Sequence, residues 1–298
     1  MRVAVVTDFG GPEVVRVVET AVPEPGAGQV RIKVAAAALN PVDAGVRAGV
    51  FGGSDGPIGL GWDVAGTVDS VGTEGAAAWK AGDEVVALHH GAVKPLGTHA
   101  EYVVVDADAV AAAPASVDAV HAATVPLNAL TAAQALDLLD LRPGGQLLVT
   151  GAAGAVGGYA VQLAAHRGMA VTGLARAADE EFVRSLGADR FVSGPVGAGS
   201  VEAVLDAAVL GGAALEWVRD GGTYVGVIPG AAPEAVRGVR VGVVEVAADG
   251  GRLAELVGLV DSGVLGARVA GTYALGEAGV AHARLAGGGV RGRLVLVP

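Results

Sequence analysis

Gly151, Gly154 and Gly157 recur at every third position within LLVTGAAGAVGGYAVQLAAHRG, residues 147–168. An apolar run of strand character leads in and a helix-favouring run leads out. Such a turn leaves backbone N–H groups at a helix start, where the aligned peptide dipoles favour an anion. From Ala152 through Gly154 to Gly157 the pattern is A-x-G-x-x-G, a variant of the dinucleotide fingerprint. The missing Cβ at Gly154 admits backbone to a pyrophosphate, and the one at Gly157 lets helix and strand pack closely. Val156, Ala160, Leu163 and Ala164 give the following helix an apolar face for a sheet. Gly151, Ala153, Gly154, Ala155, Val156 and Gly157 are thus the expected pyrophosphate cradle. A glycine-rich turn without a ligand is the alternative.

The end of the next strand selects the nucleotide. An NAD site places Asp or Glu there to hold the ribose hydroxyls. Here the chain reads Gly173-Leu174-Ala175-Arg176, with no acid before Asp179. A guanidinium at Arg176 matches a 2′-phosphate in a bidentate pair, which points to NADP(H). A solvated loop arginine is the other reading.

Other chemistries are excluded by what is missing. No G-x-S-x-G supports a nucleophile elbow, and no G-K-[ST] follows the glycines as a P-loop requires. The absence of cysteine removes disulfides, thiol nucleophiles and cysteine-held zinc together. A formal charge of −11 without a basic stripe argues against nucleic acid and against anionic membranes. Residues 143–165 carry no charge and are long enough to cross a bilayer, but their six glycines and Pro143 break them into strand, turn and helix. The start of the chain, MRVAVVTDFGG, has no apolar signal run, so the cytoplasm is the expected location.

These residues need elements to hold them. Of 298 residues, 52% are hydrophobic and 17% charged, which supports a large core. Residues 1–115 read as short strands punctuated by turns: VAVV, VVRVVE, QVRIKVAAAAL, DVAGTVDSVG, DEVVAL and AEYVVV. This predicts a strand-rich, barrel-like domain. Residues 118–140 have helical spacing. Strands LLVT, AVTGL, RFV, AVLDA, GTYVGVI and VRVGVVEV then alternate with helices at 156–167 and 179–187, the pattern of a doubly wound parallel sheet. A helix at 251–262, the strand VAGTYAL, a helix near 277–286 and RLVLV complete the chain.

The chain resembles the zinc-independent medium-chain dehydrogenase/reductases, in the quinone oxidoreductase (zeta-crystallin-like) branch. The motifs that carry this include FGGPEVVRV (9–17), PEPGAGQVRIKVAAAALNPVD (23–43), GLGWDVAGTVDSVG (59–72), HAEYVVV (99–105), PLNALTAAQAL (126–136), LRPGGQLLVTGAAGAVGGYAVQLA (141–164) and RGRLVLV (291–297). The resemblance implies an α/β chain: a GroES-like catalytic domain over 1–117 completed by 264–298, with a Rossmann domain over 118–263. It implies NADPH-dependent reduction of a quinone, enone or related conjugated carbonyl, usually by a homodimer. It also implies that Asn40 and Trp62 stand where metal-using relatives hold zinc. Neither side chain serves such a site. The chain departs from the branch at Ser193-Gly194-Pro195, where a tyrosine near the cofactor is usual and the segment is shorter. Weaker nucleotide binding is the expected consequence.

Without a metal, the reduction needs a donor for the developing oxyanion and a proton source. Asn40, which the resemblance sets beside the nicotinamide, is the expected group for the oxygen or for orienting the ring; shaping the turn before Pro41 is the alternative. Asp43 is a proton-path residue or a helix cap. His89 and His90 follow DEVVAL, and a histidine titrating near neutrality supplies a proton; on extended backbone the two point oppositely. Trp62, His90 and His99 are expected at the substrate, with core or loop roles as alternatives. Asn128 and Thr131 are expected beneath the nicotinamide, Gly226 and Val227 beside its carboxamide, and Arg291 or Arg293 near the phosphates. Residues 43–60 and 88–99 are expected to shape the pocket. A tailoring enoyl or ketone reductase and a non-catalytic NADPH-binding redox sensor are the rival readings.

Overall fold

A computed structural model describes residues 1–53, 56–73 and 78–298. The chain forms two compact units. One comprises Met1–Leu127, Ala247–Ser262 and Ala267–Pro298; the other comprises Asn128–Val246 and Gly263–Gly266.

The first unit opens with β1 (Arg2–Val6), β2 (Arg16–Glu19), β3 (Gln29–Leu39), α1 (Pro41–Arg47), β4 (Ile58–Gly59), β5 (Asp63–Val71), β6 (Glu84–Leu88), β7 (Tyr102–Asp106), β8 (Val110–Ala112) and α2 (Ala119–Ala122). The long β3 is its axis. Val30, Ile32 and Val34 alternate inward along it, as the two-residue period of a strand requires. They pack with Val64, Val85 and Val103 from the strands around them. β5 pairs antiparallel with one edge of β3, and β7 pairs with the first half of the other edge. β6 then pairs β5, with Asp63 opposite Leu88. The carboxyl ends of β3 and β6 therefore lie beside the start of β5.

The second unit contains most of α3 (Pro126–Leu139), then β9 (Gln146–Thr150), α4 (Ala155–His166), β10 (Ala170–Leu174), α5 (Glu180–Ser185), β11 (Arg190–Val192), β12 (Val201–Asp206), α6 (Gly212–Trp217), β13 (Val218–Gly226) and β14 (Arg240–Val243). The strand order is β11-β10-β9-β12-β13-β14, and every pair in it is parallel. Renumbered within the sheet this is 3-2-1-4-5-6, the order that leaves a ligand crevice where β9 and β12 diverge. Residues 193–200, all described, cross from β11 to β12 without a helical turn. Val196 of this link packs beside Trp217 on the face of Leu148, Val204 and Tyr224, covering sheet that a crossover helix would otherwise cover.

The first unit is completed by α7 (Gly250–Asp261), β15 (Val269–Ala274), α8 (Ala278–Ala286) and β16 (Arg293–Val297). β16 pairs antiparallel with the end of β3, Leu294 opposite Leu39, so Arg293 lies next to Asn40.

Three sequence expectations change here. The helical span at 118–140 is divided into α2 and α3, because the chain restarts at Pro126, a residue suited to a first helical turn. The strand expected over VRVGVVEV shortens to Arg240–Val243. The helix near 251–262 groups with the first unit rather than with the nucleotide-type sheet. Gly250 sits so close to the backbone of Asp108 and Val110 that a Cβ would collide there.

The second unit also holds a buried polar knot at the carboxyl ends of its central strands. Asp206 is wholly buried. It accepts hydrogen bonds from Thr150 Oγ1 at 2.6 Å, Tyr224 OH at 2.7 Å and Gly211 N at 2.8 Å. Burial, and then Asp206, hold the Tyr224 phenol above its usual range. Tyr224→Phe removes one charge-assisted bond and is expected to destabilise the chain by about 1.5–3 kcal/mol, read as a lower urea midpoint at unchanged slope.

Candidate functional site

The glycine turn lies at the carboxyl end of β9, where the strand order reverses. Gly151 has φ +60, a left-handed backbone that favours glycine. A Cβ on Gly157 would collide with the carbonyl oxygen of Gly151, so the first turn of α4 rests directly on the loop before it. Gly154 caps α4 in an extended conformation open to any residue. A Cβ there would meet the Gly151 oxygen at 3.0 Å, so glycine keeps the mouth of the turn clear. The first backbone bond within α4 runs from Gly158 N to Gly154 O. Ala155, Val156 and Gly157 precede it, and their N–H groups have no acceptor within the helix. A twelve-residue helix with this opening fits a pyrophosphate.

Arg176 follows β10, as the sequence required. Its side chain is 67% exposed, and Nε donates to Asp179 Oδ2 at 3.1 Å. That bond braces the guanidinium at the strand end, and the side chain stays mostly exposed. Gly226 ends β13, and Val227 is the half-buried residue after it. Asn128 and Thr131 are both buried on α3, a spacing that sets them on one face. Arg291 is exposed and belongs to the first unit, which does not contain the glycine turn.

In the first unit the three strand ends gather a polar cluster. Asp63 is fully buried, with Oδ1 accepting from Leu127 N at 2.6 Å and Oδ2 from Asn40 Nδ2 at 2.6 Å. Asp43 is equally buried; it accepts from Asn40 N at 2.8 Å and from Gly61 N at 2.9 Å. It is the helix-cap acid of α1, with both oxygens held by backbone. Asn40 also donates to Ala38 O at 3.4 Å and accepts from Arg293 Nη1 at 3.4 Å. Its amide is committed within the protein and orients its neighbours, in place of the expected contact with a substrate oxygen. Desolvation pushes the Asp63 carboxyl up to about 7, against the pull of Leu127 N–H and Asn40.

The histidines depart from expectation. His89 Nε2 lies 3.1 Å from the Leu96 carbonyl. Burial, then the Lys94 ammonium, pull its imidazole down to about 4. A ring neutral at pH 7, its N–H already engaged, is poorly suited to give a proton there. His99 is fully buried with Nε2 3.1 Å from Ala38 O, so it is a core residue. His90 is exposed and meets Trp62 edge to face at 5.3 Å. Trp62 is 7% exposed, a wall of the cluster. Ser54 and Asp55, in the expected substrate loop, lie outside the described residues.

Two residues take places that the sequence did not assign to them. Arg293 approaches Asn40 through the pairing of β16 with β3. Lys94 holds its Nζ 4.9 Å from the centre of the Trp62 ring. Its only sequence signal was scarcity: Lys33, Lys80 and Lys94 are the three lysines of the chain.

Asn40 and Trp62, at the positions set aside for zinc, are spoken for by hydrogen bonds and ring packing. Among the described residues no group of three or more His, Asp or Glu is arranged to hold a metal ion. No described helix is long and apolar enough to cross a membrane.

Residues 26–115 match the alcohol dehydrogenase GroES-like domain, and residues 177–296 match the zinc-binding dehydrogenase family. A quinone oxidoreductase from Coxiella burnetii superposes with a TM-score of 0.88 at 29% identity, covering 100% of this chain and 99% of that one. An alcohol dehydrogenase superfamily protein from Novosphingobium aromaticivorans gives 0.86 at 30% identity over 100% and 99%. The chain belongs to the alcohol dehydrogenase superfamily, the medium-chain dehydrogenase/reductases. It is also 41% identical, over 63% of its length, to the NADPH-dependent alkenal/one oxidoreductase, chloroplastic, of Arabidopsis thaliana, of which it covers 51%. It spans about half the length of the curated relatives it matches.

The raised Asp63 carboxyl has a stability signature. The folded chain holds this proton up to about pH 7, whereas the free carboxyl releases it near 3.8. The proton is bound more tightly in the folded state, so this contribution is complete below pH 4 and is lost as pH rises through 7. Between pH 5 and pH 7 the wild type is expected to lose about 2 kcal/mol more unfolding free energy than Asp63→Asn, by urea titration at each pH.

Proposed function

We propose that the chain is an NADPH-dependent, metal-free oxidoreductase that delivers a hydride to a quinone or another conjugated carbonyl, working as a homodimer. The observation that carries this reading is the Gly151–Gly157 turn at the reversal point of a 3-2-1-4-5-6 sheet, with Arg176 closing the next strand. The name of the alkenal/one oxidoreductase relative supports the nucleotide and the acceptor class. When bound, the reduced dinucleotide supplies the hydride.

The chain's own residues do the rest. Backbone N–H groups at the start of α4 bind the pyrophosphate, and Arg176 pairs with the 2′-phosphate. Asn40, fixed by Asp63 and Arg293, positions the cluster that receives the carbonyl. Trp62 gives an apolar wall that suits a flat conjugated acceptor and keeps water off it. Oxygen stabilisation falls to protein donors, since the donor set does not fit a metal.

Calorimetry tests the nucleotide half of the reading. Wild type is expected to bind NADPH more tightly than NADH. Arg176→Ala is expected to weaken NADPH by roughly 10- to 100-fold and to leave NADH unchanged, the loss of one charge-assisted bidentate pair. Equal weakening of both nucleotides removes the 2′-phosphate role, and binding of neither removes the oxidoreductase reading.

A further inference from the structure

Among the described residues, most polar groups of the first-unit cluster are engaged by backbone or by one another, and the buried Nδ1 of His99 has no hydrogen-bond partner. Asp43 and Asp63 each use both oxygens on N–H donors. Asn40 uses its amide on Asp63, Ala38 O and Arg293. His89 and His99 each direct Nε2 to a backbone carbonyl. Lys94 is different. Its Nζ donates to His89 O at 2.5 Å. An ammonium carries three hydrogens, so two remain beside the face of Trp62. The residue is half-buried, neither sealed like Asp63 nor out in solvent.

Its position is set by its loop. Gly59 N donates to Lys94 O at 2.8 Å, and His99 N donates to Leu60 O at 2.9 Å, so residues 94–99 are stitched along the segment that leads into Trp62. His89 O holds the tip, and the indole face supplies a cation–π contact. The charged and titratable groups facing Lys94 are Asp43 from α1, Asp63 from β5, and His89, His90 and His99 from its own loop.

We propose that the Lys94 ammonium is the catalytic acid of the reduction, meeting the carbonyl oxygen of the substrate and giving it a proton. This rests on the reductase reading above. The step balances without a metal. The hydride of the reduced nicotinamide forms a C–H bond at the far carbon of the conjugated system. The π electrons shift to the carbonyl oxygen, an O–H bond forms there as an N–H bond of Lys94 breaks, and the resulting amine regains a proton from water. With a quinone, the same transfer protonates one oxygen; loss of the ring C–H proton to solvent and protonation of the second oxygen then complete the hydroquinone. Lysine can cede a proton where arginine cannot, and this is the one lysine of three at the cluster. Desolvation pulls its ammonium down to about 7, against the opposing charges of Asp43 and Asp63, a value suited to proton transfer at neutral pH.

Two measurements on the full chain test this. The first is independent of turnover. With its three lysines reductively methylated with ¹³C-formaldehyde, the resonance that is lost in Lys94→Arg is expected to titrate near pH 7. A midpoint at or above about pH 10, the ordinary lysine range, overturns the proposal. The second reads kcat and KM with NADPH and a panel of quinones and enones. Lys94→Arg and Lys94→Met are each expected to lower kcat about 100-fold or more. KM, NADPH affinity and melting temperature are expected to stay near wild type. The fall in wild-type activity above pH 7 is expected to vanish in Lys94→Arg, which cannot release its proton. A wild type active on the panel, with either folded variant keeping most of its kcat and the same pH profile, overturns the role of Lys94 alone. A wild type that reduces nothing on the panel while binding NADPH overturns the reductase reading, and this proposal with it.

Discussion

The buried carboxyl of Asp63 is the constraint on which the first unit turns. It sits fully buried at the start of β5, where the ends of β3 and β6 meet, and it accepts one bond from the Leu127 backbone and one from the Asn40 side chain. An isolated carboxylate in such a place is strongly disfavoured. Everything nearby answers that demand. Asn40 turns its amide inward, Arg293 comes alongside through β16, and the Lys94 ammonium lies close enough to feel the charge of Asp63. A cluster of this kind fixes side-chain positions tightly, because each group's orientation is dictated by its neighbours' bonds.

The nucleotide-type unit is governed by backbone instead. Its glycine turn takes its shape from absent side chains, with Gly157 pressed on the Gly151 carbonyl. The knot of Thr150, Asp206 and Tyr224 holds the carboxyl ends of β9, β12 and β13 together behind that turn. The short link at 193–200 shows how little of the crossover is needed to keep the sheet order. Val196 and Trp217 close the uncovered face at small expense in chain length.

The legible parts of the molecule were those written in local pattern. β3 appeared in full because QVRIKVAAAAL alternates or runs apolar along its whole length. The glycine turn appeared because spacing alone encodes its conformation. Arg176 appeared because the strand before it ends where a fingerprint requires a decision. The unread placements depend on register between distant segments. Arg293 is at the site only because Leu294 pairs with Leu39. Asp206 and Tyr224 meet only because β12 lies against β13. Lys94 sits in GAVKPLG, a segment without periodicity, and is brought to Trp62 by hydrogen bonds to Gly59 and His89. For the same reason His89 misled: its strand-end position was readable, whereas the Leu96 carbonyl that occupies it was not. α7 misled through its amphipathic pattern, which specifies a helix and leaves open which unit it joins.

On the proposed function, the chain passes a hydride from NADPH to the far carbon of a conjugated carbonyl. Incubation with NADPH deuterated at C4 of the nicotinamide, on the face that transfers, followed by mass and NMR analysis of the product of a simple enone, tests it directly. One deuterium at the β-carbon and none at the α-carbon, whose hydrogen comes from solvent, is the expected result. Product without deuterium, or no consumption of the nucleotide with any quinone or enone, would contradict it.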